Sequence, residues 1–185
     1  LSDAGDHNLS YRYEDPFAAP QADRRSDRRL RGRLVAPVTV WTAGGAEHRV
    51  GLTVSSVLVI EGEPPHLLGA LDPLSELRDV LEEQGRFVVH VLGDGDRKLA
   101  AAFAGTYPLR PFEGVEVEDT EHGPRIAGDR TIARCRYETA ERVGYLDLVR
   151  ASVEHVELAG DPSRPSAFYR GRFGRLEPQE RPRPG

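Results

Sequence analysis

Methionine is absent from these 185 residues, and cysteine and tryptophan occur once each. A single cysteine, Cys135, excludes an internal disulfide and leads to the expectation of a reducing, cytoplasmic setting. Its surroundings, Ile132-Ala133-Arg134-Cys135-Arg136-Tyr137, alternate like a strand. The thiol is therefore expected to be structural, buried or half-buried, and not a nucleophile. Lysine is nearly missing as well: Lys98 stands alone, so almost every cation is an arginine. No apolar run reaches the roughly 18 residues of a membrane-crossing helix, and the first residues lack the basic-then-apolar layout of a signal peptide. A formal net charge of -5 provides no general pull toward nucleic acid or an anionic membrane, and neither is expected as a partner. The usual signatures of metal, phosphate and nucleophile chemistry are missing too. The histidines at positions 7, 48, 66, 90, 122 and 155 are scattered without ligand spacing. No GxGxxG follows a strand, and neither GxxxxGK[ST] nor GxSxG occurs. A chain without these can still carry redox chemistry if a cofactor supplies it.

What is there suits one domain with a substantial core. Hydrophobic residues make up 38%, and the shortfall lies at the two ends. Residues 1–29 read as a polar N-terminal arm, 30–176 as the domain, and 177–185 as a Pro-, Glu- and Arg-rich disordered tail. Tyr11, Tyr13 and Phe17 either fasten the arm to a neighbour or ride on a flexible tail. Six arginines between Arg24 and Arg33 form either a basic patch or, as is more usual, an exposed helix leading into the domain.

Between the ends the pattern is strand-rich. Strands are predicted over Val35 to Thr42, twice within His48 to Val59 after a Gly44-Gly45 turn, and over His66 to Leu71. Others follow over Phe87 to Leu92, Ile132 to Glu138, Tyr145 to Leu158 and Ser166 to Phe173. Helical spacing covers Leu74 to Gln84, closed by Gly85, and a short helix covers Arg97 to Phe103. About seven strands, two short helices and no βαβ alternation predict a mainly β fold, an antiparallel barrel with short helical insertions.

Three segments are candidates for holding a cofactor. Gly51-Leu52-Thr53-Val54-Ser55-Ser56-Val57 places hydroxyls in an otherwise apolar strand. They either satisfy nearby backbone at a bulge or strand end, or face the carbonyls and ring nitrogens of a flat heterocycle. Asp72-Pro73-Leu74-Ser75-Glu76-Leu77 is a strand-to-helix junction. It is either an ordinary capped helix or a first turn whose free N–H groups accept a phosphate. Phe103-Ala104-Gly105 ends the short helix, with Phe103 either core or stacked on a ligand ring, and Gly105 a C-cap.

Taken in order, these segments resemble the flavin reductase-like domain, the FMN-binding split barrel, over about residues 30 to 175. The resemblance runs through Arg33-Leu34-Val35-Ala36-Pro37-Val38-Thr39-Val40, the Gly51–Val57 segment, Glu63-Pro64-Pro65-His66 and Gly85-Arg86-Phe87-Val88-Val89-His90-Val91-Leu92. It continues through Leu99-Ala100, Phe103-Ala104-Gly105, Phe112-Glu113-Gly114, Gly123-Pro124, Cys135-Arg136 and Phe168-Tyr169-Arg170-Gly171-Arg172-Phe173. It implies an antiparallel split β-barrel that binds FMN as a homodimer and transfers hydride from NADH or NADPH to flavin. A separate monooxygenase component is an implied partner. Thr53, Val54, Ser55 and Ser56 match the segment lining the isoalloxazine. Ser75 matches a hydroxyl at the FMN phosphate with Asp72 beside it, Phe103 and Gly105 match the turn bordering the flavin, and His90 stands where relatives often carry Asn. No side chain is expected as a catalytic acid or nucleophile.

Two departures keep alternatives open. Many members carry Gly-Asp-His, whose imidazole lies near the nicotinamide, where this chain has Gly144-Tyr145-Leu146. That loss suits a non-catalytic FMN-binding or flavin-carrier protein, or an empty barrel kept for its dimer interface. The phosphate loop is also thinner, with Glu76 and Leu77 after the serine. A carboxylate there repels a dianion unless it points away. Helix N–H groups and an arginine, Arg78 or one from a partner subunit, then have to hold the phosphate.

Overall fold

The β-branched run Thr39-Val40-Trp41-Thr42 forms the most buried strand of the molecule, because apolar side chains on both of its faces find cover. A computed structural model of the chain describes residues 26–105, 108, 110–160 and 165–176. Helix α1 (Ser26–Arg31) precedes β1 (Ala36–Pro37), β2 (Thr39–Gly45), β3 (His48–Val54), β4 (Val57–Ile60) and β5 (His66–Leu71). Then come α2 (Glu76–Gln84), β6 (Arg86–Val91), a 3-10 turn over Asp94–Asp96 and α3 (Arg97–Phe103). The last elements are β7 (Val117–Thr120), β8 (Gly123–Ile126), β9 (Ile132–Val143), β10 (Leu146–Glu157), β11 (Ser166–Tyr169) and β12 (Arg172–Arg175). Helix α1 is exposed throughout, as the arginine run predicts. The rest of the proposed arm and the tail lie outside the described residues.

Seven strands form one antiparallel sheet in the order β3-β2-β6-β9-β10-β5-β4. No ladder joins its end strands β3 and β4, so the mainly β expectation holds but the sheet is not closed as a barrel. It nevertheless curls: β3 comes back into contact with β5, five places along the order. Inside that curl Trp41 on β2 stacks on Phe87 of the neighbouring strand β6, with centroids 5.0 Å apart. Leu67 and Leu71 of β5 and Leu77, Val80 and Leu81 of α2 complete this core. Helix α2 ends where Gly85 turns left-handed (φ 71°) and donates its N–H to Leu81 O. A second core packs Val38, Val40, Leu92, Ala100, Phe103 and Ile126 behind α3.

The structure has more strands than the hydrophobic pattern predicts. The run from Val35 splits, because β1 leaves the large sheet to pair with β11. Strand β2 continues through Gly44, so the turn falls at residues 46–47 and not at the two glycines. Gly44 serves close approach: a Cβ on it would lie 2.0 Å from His48 O, at a φ of 96°. The 166–173 segment is two strands joined by Arg170 (φ 51°) and Gly171 (φ 78°), a primed two-residue turn. The β7–β8 hairpin is too polar to stand out in a hydrophobicity reading. Strand β9 outruns its predicted end at Glu138 because Arg150 bonds Glu138 and Arg142 bonds Asp147 across the ladder.

Candidate functional site

The polar pair Ser55-Ser56 interrupts the alternation of β3 and β4, and the chain leaves both ladders there. Ser55 is half-buried and Ser56 exposed. Ser56 O accepts the N–H of Ala70 at 3.1 Å. Ala70 lies two residues before Asp72, so the hydroxyl-bearing break sits beside the β5–α2 junction. The β4–β5 hairpin thus brings together two candidate segments separated in sequence by β4, its loop and β5.

At the junction, Asp72 O accepts the N–H of Ser75 at 3.0 Å, closing a turn with Pro73 in its favoured second position. Asp72 Oδ1 accepts the Leu74 N–H at 2.9 Å, and the Ser75 hydroxyl donates to Asp72 O at 2.8 Å. The helix therefore starts later than its apolar spacing suggests. Ser75 is its N-cap and makes no side-chain cap; the Arg78 N–H bonds Ser75 O at 2.9 Å, and among the described residues no side chain caps the amides before it. Asp72 serves the turn and leaves those amides alone. Glu76 points toward β3, where its Oε1 lies 3.3 Å from His48 Nε2.

Other candidates are committed elsewhere. Thr53 donates its hydroxyl to Ala100 O at 2.7 Å, so it ties β3 to α3 and offers a ligand no donor. Val54 is core. Phe103 is 2% exposed. Its ring lies under Gly51, where a Cβ would come within 2.5 Å, and edge-on to Phe112 at 4.9 Å. Phe103 is thus a packing residue, since its ring has no open face. Gly105, at φ 66°, is exposed at the end of α3, and a Cβ there would meet nothing within 4 Å. A cavity of about 270 Å³ lies beside α3, lined by Asp94, Arg97, Ser166, Phe173 and Gly174 and by none of the eight candidates.

His90 is also accounted for. Its Nδ1 is 3.1 Å from Val40 O and its Nε2 is 3.0 Å from the Ile126 N–H. The tautomer that fits donates from Nδ1 and accepts at Nε2. Burial pushes its pKa down to about 4, against the raising effect of the Val40 bond and with help from Arg130 and Arg125. It is a neutral brace between β2, β6 and β8. Burial pushes the Cys135 thiol up to about 12, in line with the structural role expected of it. Among the described residues no cluster of three or more His, Cys, Asp or Glu could hold a metal ion.

The residues that pattern-reading missed are Arg142 and Asp147. Asp147 pairs in register with Arg142 on β9 and with Leu71 on β5, the residue before Asp72. Its carboxylate is buried. It accepts from Arg142 Nε at 2.5 Å and from Arg78 Nε at 3.0 Å, and the Arg142 bond, with Arg78 behind it, holds its pKa below the usual range. Arg78 also pairs with Glu82, so the arginine nearest the helix start is matched by two carboxylates. The signal was available: Asp147 occupies an inward phase of β10, with Val149 and Ala151. A carboxylate there demands partners.

A family model described as "Flavin reductase like domain" matches residues 31–177. The chain is 31% identical over 144 residues to the reductase component of 4-hydroxyphenylacetate 3-monooxygenase from Thermus thermophilus, covering 78% of this chain and 91% of that one. It is 30% identical over 168 residues to the reductase component of 4-nitrophenol 4-monooxygenase/4-nitrocatechol 2-monooxygenase from Rhodococcus opacus, covering 89% of each. Among solved structures it resembles an NADH:FAD oxidoreductase of Streptomyces globisporus C-1027, determined in complex with NAD and FAD fragments. There the TM-score is 0.75 at 26% identity, covering 88% of this chain and 98% of that one.

Proposed function

The chain belongs to the flavin reductase-like domain family, and from that premise we propose that it is an oxidoreductase passing hydride from NAD(P)H to FMN held between Ser55–Ser56 and Asp72–Ser75. The observation that carries the site is the Ser56–Ala70 link, which sets the hydroxyl-bearing break against the uncapped start of α2. The donor set fits the group. Ser55 and Ser56 offer hydroxyls to ring carbonyls, and the first-turn amides of α2 offer N–H groups to an anion, which the Ser75 hydroxyl joins only by leaving Asp72 O. Glu76 is drawn aside by His48, which lessens the repulsion its carboxylate would cause. Bound flavin supplies the electron chemistry. The protein's part is to orient the ring and to leave one face open to the nicotinamide. Nothing in that part requires a nucleophile.

Three relations extend the reading. Relatives that are reductase components of two-component monooxygenases support handing reduced flavin to a separate oxygenase. A homodimer is supported by the end strand β4, whose Leu58, Val59 and Ile60 are exposed in a row on an edge that no other described strand pairs. No helix among the described residues is long and apolar enough to cross a membrane; the single, buried thiol of Cys135 supports a reducing, cytoplasmic setting.

Anaerobic mixing with NADH or NADPH and FMN tests the activity. Bleaching of the flavin absorbance is expected. Bound flavin that never bleaches would instead make the protein a carrier, the reading favoured by Tyr145 and Leu146 at the β9–β10 turn. The site is tested by the double substitution Ser55→Ala/Ser56→Ala. Two lost hydrogen bonds at about 1 kcal/mol each should weaken FMN binding by about tenfold or more, and unchanged affinity would remove the site.

A further inference from the structure

We propose that Arg142 is the cation that receives the phosphate end of the flavin, and that Asp147 is the positioning residue that holds it there. The proposal rests on the flavin-binding reading above and names a residue that reading lacks.

The junction at the start of α2 is short of positive charge. Asp72, Glu76, Asp79 and Glu82 all lie on it or on the first turns of the helix. Arg78 is matched by Glu82 and Asp147, and has Asp79 3.7 Å away. A phosphate dianion arriving there needs a cation that is not already paired on every side.

Arg142 fits that need. The row Arg142–Asp147–Leu71 crosses three adjacent strands, and its last member precedes Asp72. Directly paired residues share a face of the sheet. Leu71 of this row shares its core with Leu77, Val80 and Leu81 of α2, and Asp147 accepts from Arg78 of that helix, so Arg142 and Asp147 are on the helix side. One carboxylate binds both Arg142 and Arg78, the third residue of the helix, which keeps the Arg142 guanidinium near its start. Arg142 commits only Nε to Asp147, and its side chain is 58% exposed against 19% for Arg78. Among the described residues no other carboxylate pairs with it. Its two terminal nitrogens therefore keep four N–H donors for a planar, two-pronged grip on phosphate oxygens.

Asp147 explains why the grip would be ready-made. A guanidinium anchored through Nε has surrendered side-chain freedom before the ligand arrives, so less is lost on binding. Burying a carboxylate on the inward face of β10 is poorly explained by stability alone, since an apolar residue would pack there at no desolvation cost.

The test is a fluorescence titration of FMN and of riboflavin, which lacks the phosphate, against wild type, Arg142→Gln, Arg142→Lys and Asp147→Asn. The quantity read is the ratio of the two affinities within each protein, which does not depend on the active fraction. Wild type is expected to prefer FMN. Arg142→Gln should shrink that preference by about tenfold, the loss of a charge-assisted pair. Arg142→Lys should restore part of it, and Asp147→Asn should fall between. Riboflavin affinity should be little changed, which places the effect at the phosphate and not at the ring. A variant that loses both flavins equally would make Arg142 merely structural and overturn the proposal, as would an unchanged ratio. Wild type that binds both flavins equally would overturn it while sparing the flavin reading. Binding of neither flavin would overturn both.

Discussion

His90 shows how a single position reports on pH. Its folded pKa of about 4 lies below the ordinary 6.5, because burial penalises the charged ring. A depressed folded pKa means that the stability from keeping His90 neutral is fully present above about 6.5. It is lost as pH falls from there toward about 4, and over that window the loss is on the order of 3 kcal/mol. Urea denaturation at pH 7 and at pH 4.5 should show it, and His90→Asn, which cannot titrate, should show a smaller drop. Equal drops in both proteins would assign the acid sensitivity to carboxylates instead. Gly51 makes the steric counterpart. A Cβ there would press 2.5 Å from the buried Phe103 ring and 3.2 Å from Trp41 O. Gly51→Ala should therefore cost about 1–3 kcal/mol by denaturant midpoint, with loosening at the end of α3. No sequence rule signals this, because the clash is with a side chain 52 positions away.

At the scale of elements, the β9–β10 hairpin holds the most that pattern-reading overlooked. Its turn needs Gly144 at φ 62°, and Arg142 and Asp147 flank it. Gly144→Ala should destabilise by about 1 kcal/mol and, by loosening that pair, weaken FMN more than riboflavin. Helix α2 and strand β5 were legible from spacing, since their apolar faces are continuous and Gly85 marks the stop. Strand α-carbon partners were not, because polar residues on an outward face alternate too weakly to reveal β7, β8 or the far half of β9. The hydroxyls of Ser55 and Ser56 were legible as an interruption. Thr53, two residues earlier, carries the same chemistry, yet its hydroxyl is committed to Ala100 O across the fold.

For the whole molecule, the consequential feature is the open end of the sheet. Among the described residues strand β4 leaves Leu58, Val59 and Ile60 exposed beside an unpaired backbone edge, which is the face the proposed dimer would cover. Leu58→Glu/Ile60→Glu should shift sedimentation from dimer to monomer, and an unchanged dimer would place the interface elsewhere. If reduced flavin is handed to a separate oxygenase, NADH consumption should rise with added free FMN and saturate. Turnover indifferent to free flavin would indicate a permanently held group.

By itself the sequence determined the mainly antiparallel class, the two helices of the domain, the structural thiol and the family resemblance. These rest on periodicity, turn residues and ordered motifs, all of which act locally or along the chain. The tertiary structure decided which hydroxyls stay available, that Phe103 and Val54 are core, that Arg78 is spent, and that Arg142 and Asp147 stand at the junction. Those outcomes depend on the curl of the sheet and its strand register, which bring residues 69 positions apart within hydrogen-bonding distance. Pairing of that kind is settled by packing across the whole chain, and no local pattern encodes it.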